Sequence, residues 1–446
     1  MTIFYFRCLL LLLSMVQTRA AQDNDEGSNE SSNRTTLDII WSCLATIFAC
    51  TWLAVHPNVP SRHMREKGRL FLCLHRVKHM LLAIICPEVV IMWAFRQRLV
   101  ASALSKHLKL SMTHGFFISM GGFIGKNEHP ITATDFFYID TGILRSAIGI
   151  EIRPGVDISP ILSVTKDELM DRSKGDALSK SISLLQTTWF VVQYFSRVTL
   201  SLPTTPLETA TLAFALLNFC NYILWWHKPL DVQYPLNVST IDAMMGLTSE
   251  TLSELPEPTS RRSEVLEPEN SVTSAAESKS NPCVRVWRWY RQIFNKIALS
   301  GVSRPDITNA TLPMLWAGQM TWSQNSYAAC FGACFGALFG GVHCIEWTSS
   351  GFFESSLEHL LWKISSLLVA IVPVIFAFEV FSFSSLFRKH KYIRWIVSCL
   401  VIAPWIFIFI YICARVYLLV DMFLSLRSLP PGALEEIDWT RYIPHI

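Results

Sequence analysis

Apolar runs of roughly twenty residues alternate along the chain with shorter polar segments. Six runs stand out, at 38–56, 180–202, 206–226, 326–345, 358–381 and 394–420. At 1.5 Å rise per residue, each is long enough for a helix to cross a hydrocarbon layer of about 30 Å. Two weaker segments lie at 78–95 and 108–125. The pattern predicts an all-α fold, a polytopic transmembrane helix bundle of six to eight membrane segments.

The weaker segment 78–95 carries a conflict. Its apolar stretch LAIICPEVVIMWAF holds Pro87 and Glu88 in the middle. Proline lacks an N–H and suits the first turn of a helix, and an acid just after it suits the positive end of the helix dipole. Cys86-Pro87-Glu88 therefore reads as the start of a second half-helix after a break. If 78–95 and 108–125 both crossed, Arg96, Arg98, Lys106 and Lys109 would be stranded outside. If neither inserted, an apolar segment would be left in water. A re-entrant or broken-helix hairpin satisfies both constraints, because irregular backbone is tolerated at depth where protein or water surrounds it. Glu88 then becomes a deep acid with no basic residue at matching depth in another span. Two readings follow: a proton- or cation-handling group, or a neutral carboxyl bonded to a backbone carbonyl in a kinked span.

Basic residues orient the spans. Arg62, Arg65, Lys67, Arg69, Arg76 and Lys78 follow the first span, and Arg388, Lys389, Lys391 and Arg394 precede the last. Both loops are expected inside. Residues 346–358 carry three glutamates and neither Lys nor Arg, as expected outside. The opening MTIFYFRCLLLLLSMVQTRAAQ reads as a signal peptide over 1–20, with an uncleaved anchor as the alternative. A polar tail over 21–37 offers glycosylation acceptors at Asn29 and Asn33, which requires that tail to face the lumen or outside.

The membrane helices thus fall into two groups, 38–226 with a cytoplasmic connector at 126–178, and 326–420. Between them, 227–325 is expected inside. Its Ser-, Glu- and Pro-rich part, 239–282, reads as a disordered cytoplasmic linker. The following 283–298 alternates basic with aromatic and aliphatic residues, a surface suited to the anionic inner leaflet. The tail 421–446 comes out facing outside. The expected location is the plasma membrane or an endomembrane of the secretory pathway.

Composition agrees and removes other classes. Charged residues make up 16% of the chain and hydrophobic ones 51%, against about 25% charged in a soluble protein. A net charge of +3 argues against a nucleic-acid partner. Most cysteines fall inside apolar runs, with neither a disulfide framework nor a paired zinc motif. HExxH, GxSxG and P-loop patterns are missing, so no catalytic residue, metal or cofactor is expected. His75 and His79 share a helical face but have no second pair to complete a metal or haem site.

Three further polar or small-residue patterns remain. Gln186, Thr187 and Thr188 face Asn218 and Asn221 across a tight turn, as an interhelical hydrogen bond or a solute path. Gly332, Gly336 and Gly340 make a small-residue stripe for close packing, against a helix of this chain or of a second copy in a homo-oligomer. Trp225-Trp226-His227-Lys228 reads as an inner-interface anchor. Arg197 and Glu208 flank the outer turn and can pair with each other, while Lys363 and Arg415 lie near outer ends, where they can snorkel or pair with Glu358.

The strings WSCLATIFACTWLAVHPNVP, DRSKGDALSK, LLNFCNYILWWHKPLDV and RVYLLVDMFLSLRSLPPGALEEIDWTRYIPHI together resemble a large group of fungal integral membrane proteins of unassigned activity. That resemblance implies a fungal multi-pass protein and carries over no catalytic residue. Three roles stay open: a structural or accessory membrane protein, a secondary transporter or channel using Glu88, and a receptor or sensor with 239–296 as its output. The one partner expected in every case is the lipid bilayer.

Overall fold

A computed structural model describes residues 33–125, 129–139, 150–152, 158–173, 176–238, 312–318, 320, 322–386 and 403–437. The signal peptide, Asn29, the linker 239–282, the basic segment 283–298 and the loop 387–402 lie outside the described residues.

Among the described residues, nine helices of eight residues or more carry the architecture: α1 (Thr36–Phe48), α2 (Arg69–Ile85), α3 (Pro87–Leu108), α4 (Met112–Ser119), α5 (Asp176–Thr199), α6 (Pro206–Trp225), α7 (Trp322–His343), α8 (Ser356–Leu386) and α9 (Ala403–Leu424). Helix α1 continues as a π-helical turn over Ala49–Leu53. Among the described residues, stretches of five helices are long and apolar enough to cross a membrane: Thr36–Leu53, Pro206–Trp225, Gln324–Thr348, Ser356–Phe378 and Ile406–Arg427. The last overlaps the run 394–420 read from the sequence, whose first part, 394–402, lies outside the described residues.

Helix α5 falls outside that set because Gln186, Gln193 and Arg197 dilute its apolar content. Its faces are nevertheless sorted in the manner of a lipid-facing helix. Leu185, Trp189, Val192 and Phe195 are exposed, whereas Ser183, Thr187, Tyr194 and Arg197 are buried. Helix α8 repeats the inversion, with Leu360, Ile364, Leu367, Ile371, Val374 and Phe378 turned outward. In water such faces would be reversed.

Segment 108–125 does not form a span. Helix α4 has eight residues, about 12 Å long, and its chain turns at Gly121, with φ +77°. It then enters strand β1 (Phe123–Ile124), which pairs in parallel with the late strand Leu236–Asn237. A second pair, β2 (Phe137–Ile139) with β3 (Ile150–Ile152), is antiparallel. Buried Phe117, Phe123, Phe136, Ile161 and Leu169 form a separate core here, distinct from that of the long helices. Close approach of α4 to α3 rests on Gly115, where a Cβ would lie 2.4 Å from the carbonyl oxygen of Ala101.

The break at Pro87 is present. Cys86, at φ −136° and ψ 64°, leaves the helical region, as the residue before a proline tends to do. Helices α2 and α3 turn by 111° there. The limbs remain in contact: the His79 and Trp93 rings, seven residues either side of Cys86, lie 5.8 Å apart. The two limbs thus bend toward one another at Cys86.

Candidate functional site

Breaking a helix in apolar surroundings frees backbone carbonyls and creates a partial negative charge at the first limb's end. The second limb begins with the opposite partial charge. Helix α9 supplies a partner for both. Arg415 Nε donates to the carbonyl of Ile85 at 2.9 Å, and its Nη2 lies 3.7 Å from Glu88 Oε2. Tyr411, one turn earlier, donates its hydroxyl to Glu88 Oε1 at 2.7 Å. The Arg415 guanidinium also sits over the Phe339 ring, 3.9 Å from its centre. Glu88 and Arg415 are both buried.

The expectation that Glu88 stands alone is therefore corrected. Its partners, Tyr411 and Arg415, come from the last described long helix, α9, within the apolar stretch Ile406–Arg427. Arg415 answers Glu88, while Glu358 accepts from the backbone N–H of Glu354.

The glycine stripe frames this site. A Cβ on Gly332 would lie 3.0 Å from Met92 Cβ, and one on Gly336 would lie 2.7 Å from the Pro373 ring and 3.5 Å from Glu88 Cβ. At Gly340 it would lie 2.4 Å from the backbone nitrogen of Ala370. At all three positions the close neighbour is a helix of this same chain, α3 or α8.

The second polar group divides. Asn218 donates to Thr187 Oγ1 at 2.9 Å, which joins α5 to α6. Gln186 faces α1 and donates to Thr46 at 3.2 Å, not to Asn221. Asn221 is buried, and its Oδ1 has no hydrogen-bond partner among the described residues. Arg197 and Glu208 are likewise re-partnered. Glu208 binds Arg34 at 2.5 Å, and Arg197 donates to the carbonyls of Pro203, Gly432, Ala433 and Glu435. Asn33 is exposed and bridges to Glu435 beside them.

At the opposite end, Lys228 departs from the anchor expected of it. Trp226 is exposed, as an anchor should be, but Lys228 is fully buried. Its Nζ lies over the rings of Trp93 and Trp225, at 4.8 and 4.7 Å. It donates to the carbonyl of His56 and, at 2.8 Å, to Gln97 Oε1. The ring faces favour the cation by about 2 kcal/mol, but burial is the larger effect and holds the ammonium well below a lysine's ordinary range. Burial, reinforced by Lys180 and Lys228, also lowers His56. The carbonyl of Trp316 accepts from Asn58, Trp93 and Gln97, fastening segment 312–318 onto α3. The His75 and His79 rings meet edge to face at 4.6 Å, with His79 Nδ1 bonded to the His75 carbonyl.

Sequence reasoning missed Tyr411, Arg415 and Lys228. A signal existed for the first two, since they are four apart on one face of an otherwise apolar helix. For Lys228 there was none, because its cage comes from helices distant in sequence.

A mostly helical bundle with five apolar helices of membrane-crossing length, lined inside by hydrogen-bonded polar groups, fits a membrane protein. The chain belongs to a family of unknown function, DUF8562, whose model matches residues 6–114 and 101–280, more than half its length. Glu88 and Lys228 lie within the matched stretches, and Tyr411 and Arg415 lie beyond them. No curated protein and no solved structure matches the chain.

Proposed function

We propose that this is a structural or accessory membrane protein whose intramembrane charges hold the bundle together. One observation carries the reading: Glu88 is closed off by Tyr411 and Arg415 while Gly336 brings α7 against it. An acid that serves architecture is expected to be met by its own chain in this way. The bilayer is the partner, and the re-entrant hairpin of α2 and α3 does not cross it.

Six crossings then place both chain ends on one side. Support comes from the backbone hydrogen bond between Arg34 and Leu434. With the N-terminus outside, the basic loop after α1 faces the cytoplasm, and a plasma or endomembrane of a fungal secretory pathway is the location. The alternative of a secondary transporter or channel is favoured by one feature, the 3.7 Å gap in the Glu88–Arg415 pair. A receptor role would use 239–296, outside the described residues.

The deciding experiment compares wild type, Glu88→Gln and Tyr411→Phe. Each is assayed for thermal stability in detergent and for proton-driven uptake of a solute panel into proteoliposomes. The expected result is lower melting temperatures for both variants, with uptake at the empty-vesicle level for all three. Wild-type uptake that Glu88→Gln abolishes would overturn the structural role in favour of transport.

A further inference from the structure

We propose that Arg96, facing the N-terminal part of α7, binds a phosphate-bearing anion. Arg96 is 3% exposed, and neither its Nε nor its Nη2 has a hydrogen-bond partner among the described residues. The other buried cations are answered. Arg34 meets Glu208, Arg76 meets Asp231, Arg197 meets four carbonyls, and Arg415 meets Ile85 and Glu88. Lys228 meets His56 and Gln97, and Lys180 reaches the carbonyls of Trp226 and Lys228. An unpaired buried guanidinium is strongly unfavourable unless an anion joins it.

The surroundings fit an anion. Helices α3 and α7 run antiparallel in close contact. Gly336 lies against Glu88, Gly332 lies against Met92, and Phe331 stacks on Phe95 at 4.1 Å. One further turn brings Arg96 level with buried Ala328, six residues, or about 9 Å, inside the start of α7 at Trp322 and one turn from Asn325. The free N–H groups of a helix start carry partial positive charge and favour phosphate. Asn325, in that region, is 5% exposed, and its Oδ1 is unpartnered among the described residues. Turning its carboxamide over would present an NH₂ to an anion instead. A guanidinium offers paired donors that match phosphate oxygens.

Depth points to phosphate over a free carboxylate. Gln97, the next residue, bonds Trp225 and Lys228 at the end of α6. If the bundle crosses a bilayer, this is the level of the phospholipid headgroups. A lipid phosphate and a soluble phosphoester share the required chemistry, and the test separates them.

Full-length protein is purified and placed in phosphatidylcholine nanodiscs, with or without phosphatidic acid, and separately titrated with inorganic phosphate in detergent. Thermal melting and retained phospholipid, by native mass spectrometry, are read for wild type, Arg96→Met, Arg96→Lys and Arg98→Gln. Phosphatidic acid or phosphate should raise the wild-type melting temperature and that of Arg98→Gln, but not that of Arg96→Met. Loss of the paired donors should weaken retention about tenfold, with Arg96→Lys between. Without anion, Arg96→Met should melt at or above wild type, since it removes an unpaired buried charge. A response to phosphatidic acid alone assigns a lipid headgroup, and a response to both assigns a site open to soluble phosphate. No anion response in wild type, or an equal one in Arg96→Met, overturns the proposal.

Discussion

Arg415 Nε donates to the carbonyl oxygen of Ile85 at 2.9 Å, so a side chain on α9 caps the helix that ends 330 residues earlier in sequence. The same guanidinium neutralises Glu88 at the start of the next limb. A broken helix thereby keeps the Ile85 carbonyl hydrogen-bonded and its acid paired away from water, one carboxyl oxygen bonded to Tyr411 and the other 3.7 Å from Arg415. Removing Arg415 leaves both without this partner. Arg415→Met should cost about 3–5 kcal/mol, as when one partner of a buried pair is lost. Tyr411→Phe should cost about 1 kcal/mol, one hydrogen bond. In a double-mutant cycle, Glu88→Gln should be much milder once Arg415 is already gone, and strict additivity in melting experiments would count against the coupling.

Helix packing makes a second contrast. Gly340→Ala sets a Cβ 2.4 Å from the backbone of Ala370, which cannot move aside as a side-chain tip can. Overpacking of this kind costs about 1–3 kcal/mol. At Gly341 a Cβ meets nothing within 4 Å, so Gly341→Ala should leave stability unchanged or slightly raised. Melting temperatures of the two variants, measured side by side, check the register of α7 against α8.

Glycosylation maps the threading. Asn33 is exposed beside Glu435, and Asn237 is exposed at the other end in the short strand paired with β1. With the N-terminus outside, a microsomal translation should show sugar on Asn29 or Asn33 and none on Asn237 or Asn309. Sugar on Asn237 together with the N-terminal sites would overturn this threading.

The buried end around His56 should be sensitive to acid. Folding lowers the His56 imidazole well below 6.5, through burial first and then Lys180 and Lys228. The unfolded chain takes up a proton near 6.5 while the folded chain does not. Stability from this site is therefore full above 6.5 and falls as pH drops toward the folded value. Melting temperature should decline between about pH 7.5 and 5.5, and His56→Gln should flatten part of that slope. Lys228 acts with the same sign at higher pH, because its folded form also resists protonation.

Much of this architecture was legible in the sequence, because hydrophobic length and proline chemistry act locally. The apolar runs anticipated the five long spans, Cys86-Pro87 marked the break, and the four-residue spacing of Gly332, Gly336 and Gly340 marked a face for close approach. Charge partners were not legible. A run locates a residue's depth only to within a turn or two, and it does not say which helix stands opposite. Which helices adjoin is likewise a property of the whole bundle. That packing alone decided that Glu88 meets Tyr411, that Glu208 takes Arg34 in place of Arg197, and that Lys228 lies between two tryptophans. A buried charge binds whatever opposite group the fold brings within a few ångströms, and sequence distance places no limit on where that group comes from.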